Sequence, residues 1–105
     1  MSNPVYVNVR LRPTNPDRFM AEYAQPLQSH NQAHGVEVLV GDADPRIVEG
    51  TPDPRLNVIL KFPSLEVFDA WYTAPEYQPL KQIRIDTTDH ALTEMIVLKS
   101  YGAAE

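Results

Sequence analysis

The sequence contains no cysteine. A disulfide framework, a thiolate nucleophile, a zinc–thiolate site and a cysteine-held iron–sulfur cluster are therefore excluded. It lacks any apolar run near the roughly 20 residues of a membrane helix, and its Met-Ser-Asn-Pro start has neither the basic nor the apolar part of a secretory signal. A cytoplasmic location with no membrane partner is the expectation. A basic excess is missing too: nine Lys and Arg stand against fourteen Asp and Glu, a net charge of -5. That sign argues against nucleic acid, whose binding rests on a basic field. Glycine is scarce, at four residues, and no phosphate-cradling glycine loop is present.

What is present suits one folded unit. The 105 residues, 43% of them hydrophobic, suffice for a single two-layer core, with the ordered part expected over about 4–101 of one domain spanning 1–105. Ten prolines punctuate the chain. Val5, Val7, Val9 and Leu11 alternate with Tyr6, Asn8, Arg10 and Arg12, the pattern of a half-buried strand. Asn15-Pro16-Asp17 reads as a helix start, cap then proline then acid. Phe19, Met20, Tyr23, Leu27, His30 and His34 then fall in one inward arc of about 100°. Pro26 predicts a kink or break in this helix, which runs to about Ala33 with Gly35 just beyond its cap.

Val36 to Val40 predict a second strand, with Ile47 and Val48 a short strand or arm. Gly50 to Pro54 predict a loop, and Arg55 to Phe62 a central strand. Ser64 caps a helix carrying Trp71 and Tyr72, and a further helical piece from Pro75 to about Asp86, with a break expected at Pro79, carries Tyr77 and Arg84. Ala91 to Tyr101 give the last strand, and Gly102 to Glu105 should fray. This order predicts an α+β, ferredoxin-like βαββαβ sandwich. Two helices cover one face of a four-stranded sheet, so the other needs water or a partner. Tyr6, Asn8 and Arg10, with Asn57, Ile59 and Lys61 as counterparts, are too mixed for a plain wet surface. A homodimer through the sheet face follows.

Leu60-Lys61-Phe62-Pro63-Ser64, then Ala70-Trp71-Tyr72, then Ala74-Pro75-Glu76-Tyr77-Gln78, with Arg84 following, resemble the signature of domain-of-unknown-function family 1330. The resemblance spans Val5 to Tyr101. It implies a dimeric α/β barrel, two ferredoxin-like sheets face to face with helices outside, an architecture shared with small monooxygenases of antibiotic biosynthesis, muconolactone isomerases and haem-degrading or chlorite-dismutating enzymes. It carries no reaction over. Ala74, where a serine cap often stands, and Pro79 depart from the family pattern.

The chemistry-bearing residues are few. His30 and His34 share a helix face at the spacing of two metal ligands, but no third ligand is evident and no metal or other cofactor is expected. They are the acid or base candidates; packed helix residues are the competing reading. Trp71, Tyr72 and Tyr77 could wall a planar ligand or simply be core. Asn8 and Arg84 could hold an oxyanion, or make structural contacts. Two functions fit: a cofactor-independent enzyme or binder of a small metabolite between sheet and helices, and a non-catalytic dimeric structural or stress-associated module.

Overall fold

A computed structural model of the chain describes residues 3–101. Strands β1 (Val5–Leu11), β2 (Glu37–Asp42), β3 (Leu56–Phe62) and β4 (Glu94–Lys99) form one antiparallel sheet in the order β2-β3-β1-β4. Helices α1 (Pro16–Phe19), α2 (Gln25–Ala33), α3 (Leu65–Thr73) and α4 (Tyr77–Thr87) cover one side. This is the ferredoxin-like α+β plan. The register pairs Tyr6 with Lys61, Asn8 with Ile59 and Arg10 with Asn57, so these six share the uncovered face. Their neighbours Val5, Val7, Val9 and Leu11 are all buried against the helices. Among the described residues no helix is long and apolar enough to cross a membrane.

The helix boundaries follow from local chemistry. Asn15 accepts the Arg18 amide on its side chain, with Pro16 beginning α1, and Ser64 caps α3 through the Val67 amide at 3.1 Å. At the end of α2 the amides of Gly35 and Val36 return to the carbonyls of Gln32 and Asn31. This paired closure needs a left-handed residue, which Gly35 supplies at φ 70.

Four local expectations are corrected or narrowed. Pro26 does not break the helix: the helical run passes from α1 through a five-residue π-turn, Met20–Ala24, into α2, and this wider turn accommodates the amide that Pro26 lacks. Pro79 sits likewise in the first turn of α4 and interrupts nothing. Ile47 and Val48 form no strand, which leaves the arm of the two alternatives. They lie in the exposed segment between β2 and β3. The last strand starts at Glu94, because Asp89 accepts the Ala91 amide and winds His90–Leu92 into a 3-10 turn. The fraying expected of Gly102 to Glu105 lies outside the described residues.

Candidate functional site

A cavity of about 240 Å³ lies between the covered sheet face and the first helical run. Its floor includes Val9 and Leu11 of β1 with Val58 and Leu60 of β3, the inward half of the strand alternation. Tyr23 and Ala24 of the π-turn and Leu27 and Asn31 of α2 form the helical wall, and Trp71 of α3 closes it. The π-turn matters here. An extra residue in the turn widens the helix where Tyr23 and Ala24 face the cavity, a deformation frequent at functional sites.

Behind this wall the aromatic residues are knitted together. Trp71, 1% exposed, packs at 4.5 Å from Tyr77 and 5.2 Å from Phe62 between ring centroids. Its indole Nε1 donates to Oδ1 of Asn31 at 2.8 Å. Because an indole N–H only donates, the Asn31 oxygen must be the partner and its amide nitrogen is left over. The ring of His30 stacks on Tyr77 at 5.6 Å, and its Nε2 lies 2.9 Å from the Trp71 carbonyl. A carbonyl only accepts, so Nε2 carries the proton and His30 clamps α2 to α3.

The hydroxyls of Tyr23 and Tyr77 meet at 2.9 Å, a buried contact between residues 54 positions apart. Burial, and next the Tyr77 hydroxyl, push the Tyr23 phenol well above its ordinary range. Arg84 lies against both phenols and is only 7% exposed. Burial opposes its charge, and the Tyr77 and Tyr23 oxygens outweigh that effect, holding the guanidinium above its ordinary value. Its Nε has no hydrogen-bond partner.

The structure thus brings together His30, Trp71, Tyr72, Tyr77 and Arg84, with Tyr72 at 5.8 Å from Tyr77 and under the Lys81 ammonium. His34 joins them at one edge, its ring 4.6 Å from that of His30. Its Nδ1 is 3.1 Å from the His30 carbonyl of the preceding turn, and both imidazoles border a second cleft beside Ala74 and Glu76. Asn8 is on the opposite face of the sheet, in a shallow cleft with Tyr6, Ile59 and Leu98. Among the described residues no three His, Asp or Glu side chains gather as a metal-binding group. Sequence reasoning passed over Asn31, set on the polar side of its helix by flanking Gln and Ser, and did not pair Tyr23 with Tyr77. Tyr23 lay in the inward arc, but nothing local indicates its partner.

The motif residues now have visible jobs. Tyr77 is fully buried, and the Gln78 side chain donates to the carbonyls of Tyr72 and Ala74, closing the end of α3. The family model for a domain of unknown function, DUF1330, matches residues 4–101. The chain belongs to the DUF1330 family. No curated protein matches its sequence. Among solved structures, this family member is similar to RPA0582 of Rhodopseudomonas palustris, a protein of unknown function, at 17% identity and TM-score 0.74 over 98% of this chain and 86% of that one. It is also similar to SnoaB of Streptomyces nogalater, a cofactor-independent oxygenase, at 11% identity and TM-score 0.69 over 97% of each chain. A third neighbour, from Bacteroides thetaiotaomicron and provisionally assigned as an antibiotic biosynthesis monooxygenase, aligns with TM-score 0.56 at 15% identity, covering 97% of this chain and 91% of its own. At these identities the likeness is one of fold: the DUF1330 chain shares the ferredoxin-like α+β fold of these structures.

Proposed function

We propose that this protein binds, and as a cofactor-independent enzyme transforms, a small metabolite held between sheet and helices. The observation that carries the reading is the 240 Å³ cavity itself, apolar on its sheet side and edged by Tyr23, Asn31 and Trp71. Cavities of about 150 Å³ lined by apolar side chains already admit benzene, so this one has room for a larger ring system. A few polar groups on one wall of an apolar cavity are what orients a bound ligand. In this reading Trp71 is the ring wall, Tyr23 and Asn31 orient the ligand, and Tyr77 and Arg84 support Tyr23 from behind. His34 lines a neighbouring cleft and acts only on groups that reach it.

The working unit in this reading is a cytoplasmic homodimer joined through the uncovered sheet face. Ile96 and Leu98 are about half exposed there, Ile59 lies beside them, and Arg10 Nε is buried without a partner. Exposed apolar side chains around an unsatisfied donor favour a covering chain over water. One observation favours the alternative of a non-catalytic dimeric module. The facing nitrogens of His30 and Trp71 already have partners, as in a purely structural core.

A metabolite library screened by thermal shift separates the two. The enzyme or binder reading expects compounds that raise Tm in the wild type and lose this effect in Ala24→Phe, which fills the cavity. A library without a single stabilising compound, or stabilisation that survives Ala24→Phe, contradicts it.

A further inference from the structure

The polar groups around the cavity have an imbalance. Arg84 carries a positive charge, is 7% exposed, and takes part in none of the ion pairs among the described residues. A guanidinium offers five N–H donors and no acceptor, yet the groups that act on it are the phenols of Tyr77, Tyr23 and Tyr72, with no carboxylate among them, and its Nε is unsatisfied. The Tyr23 and Tyr77 hydroxyls can use only one proton in the bond between them. The other proton remains to be donated. Asn31 adds to the surplus: its acceptor oxygen is taken by Trp71, so it presents an amide donor where it lines the cavity. Tyr23 and Asn31 on this wall, and Arg84 behind it, therefore have donors to spare. A buried cation without an anion is costly unless something supplies the charge.

We infer that the cavity takes a ligand with an anionic oxygen, a carboxylate or an enolate, on an apolar ring body, and that Tyr23 and Asn31 donate to that oxygen while Arg84 and Tyr77 behind them stabilise its charge. The inference rests on the cavity being the ligand site and adds the ligand's charge. The apolar floor of Val9, Leu11, Val58 and Leu60 fits the ring body, and the donor-rich wall stands across the cavity from it. Arg84 is a positioning residue in this scheme. It polarises the Tyr23 hydroxyl and holds the negative charge in place without lining the cavity.

The test uses two probes of nearly equal shape, naphthoate and the neutral naphthalenemethanol, titrated against the full chain with the fluorescence of Trp71, the chain's one tryptophan, as readout. Naphthoate should bind the wild type about tenfold tighter or more, as hydrogen bonds to a charged oxygen predict. Arg84→Met should bring the two affinities within about twofold by weakening naphthoate far more than naphthalenemethanol, because the charge-dependent bonds are the ones lost. Equal affinities in the wild type, or the same preference kept in Arg84→Met, would overturn the inference and leave the cavity reading standing. Should neither probe change Trp71 emission, both fall. Tyr23→Phe is the second variant, needed if Arg84→Met does not fold. It should weaken naphthoate alone by about threefold, and an unchanged naphthoate affinity overturns the proposal.

Discussion

Neighbouring residues of β1 face two different worlds. Val5, Val7, Val9 and Leu11 are sealed under the helices, whereas Tyr6, Asn8 and Arg10, one step away along the same strand, stay half-buried on the uncovered face. The covered face is uniformly apolar and is closed by this chain alone. The uncovered face mixes Ile59, Ile96 and Leu98 with Asn8, Arg10 and Lys61, a composition suited to another chain. Stability is concentrated on one side of the sheet, and the proposed dimer would place association on the other. The cavity lies on the stable side, so its walls are preorganised by the same packing that holds the fold.

Substitution across this divide should give sharply different outcomes. Val7→Asp, which places an unpaired carboxylate in a fully closed site, should cost at least about 4 kcal/mol and unfold the chain in urea well before the wild type. A folded Val7→Asp would break the comparison. Trp71→Phe, which keeps most of the packing but strands the Asn31 oxygen, should cost about 2 kcal/mol in the same assay. Leu98→Asp, on the uncovered face, should leave the secondary structure intact and weaken self-association about tenfold or more, since an unpaired charge in an interface is costly. Sedimentation across a concentration series reads this effect, and an unfolded Leu98→Asp would erase the distinction between faces.

Smaller effects sharpen it. Ser64→Ala removes the cap of the helix that carries Trp71 and should cost about 1 kcal/mol. Asp53 gives the pH dependence. Its hydrogen bond to the Arg55 guanidinium draws the carboxyl down to about 2, and Arg55 in turn bridges to Glu94 at 3.4 Å, tying the segment before β3 to β4. A depressed carboxyl stabilises the folded chain fully above its unfolded value near 4. That contribution is lost as pH falls through about 2. Limited proteolysis of the Gly50 to Arg55 segment should therefore quicken between about pH 4 and pH 2 in the wild type, and Asp53→Asn should remove that pH step.

The legible parts of this protein were those set by local pattern. Alternation in β1 and β3 correctly put Asn57, Ile59 and Lys61 opposite the outward residues of β1, because a period of two fixes the face once the strands pair. Asn15, Gly35 and Ser64 announced their helix ends through capping chemistry that needs no tertiary partner. The candidate site was legible by residue type only. His30, Trp71, Tyr72, Tyr77 and Arg84 do converge, with His34 packed on His30 at the border of a second cleft, but Asn8 lies on the opposite face of the sheet. The bond between Tyr23 and Tyr77 joins two helical segments whose separation in sequence says nothing of their contact. The π-turn was hidden as well. Proline signals trouble with the preceding turn, but whether the helix kinks or widens is decided by packing around Tyr23.

In the proposed reading the cavity beside Trp71 is where a ligand sits. The most direct measurement is the NMR signal of the Trp71 indole N–H, unique in this chain and hydrogen-bonded to Asn31 on the cavity wall. Titration of the wild type with naphthoate should move this signal together with the amides of Ala24 and Leu27, in step with one saturating curve, while Asn8 and Leu98 on the uncovered face stay in place. Saturable binding that shifts the signals of the uncovered face and leaves the Trp71 indole unmoved would contradict the account.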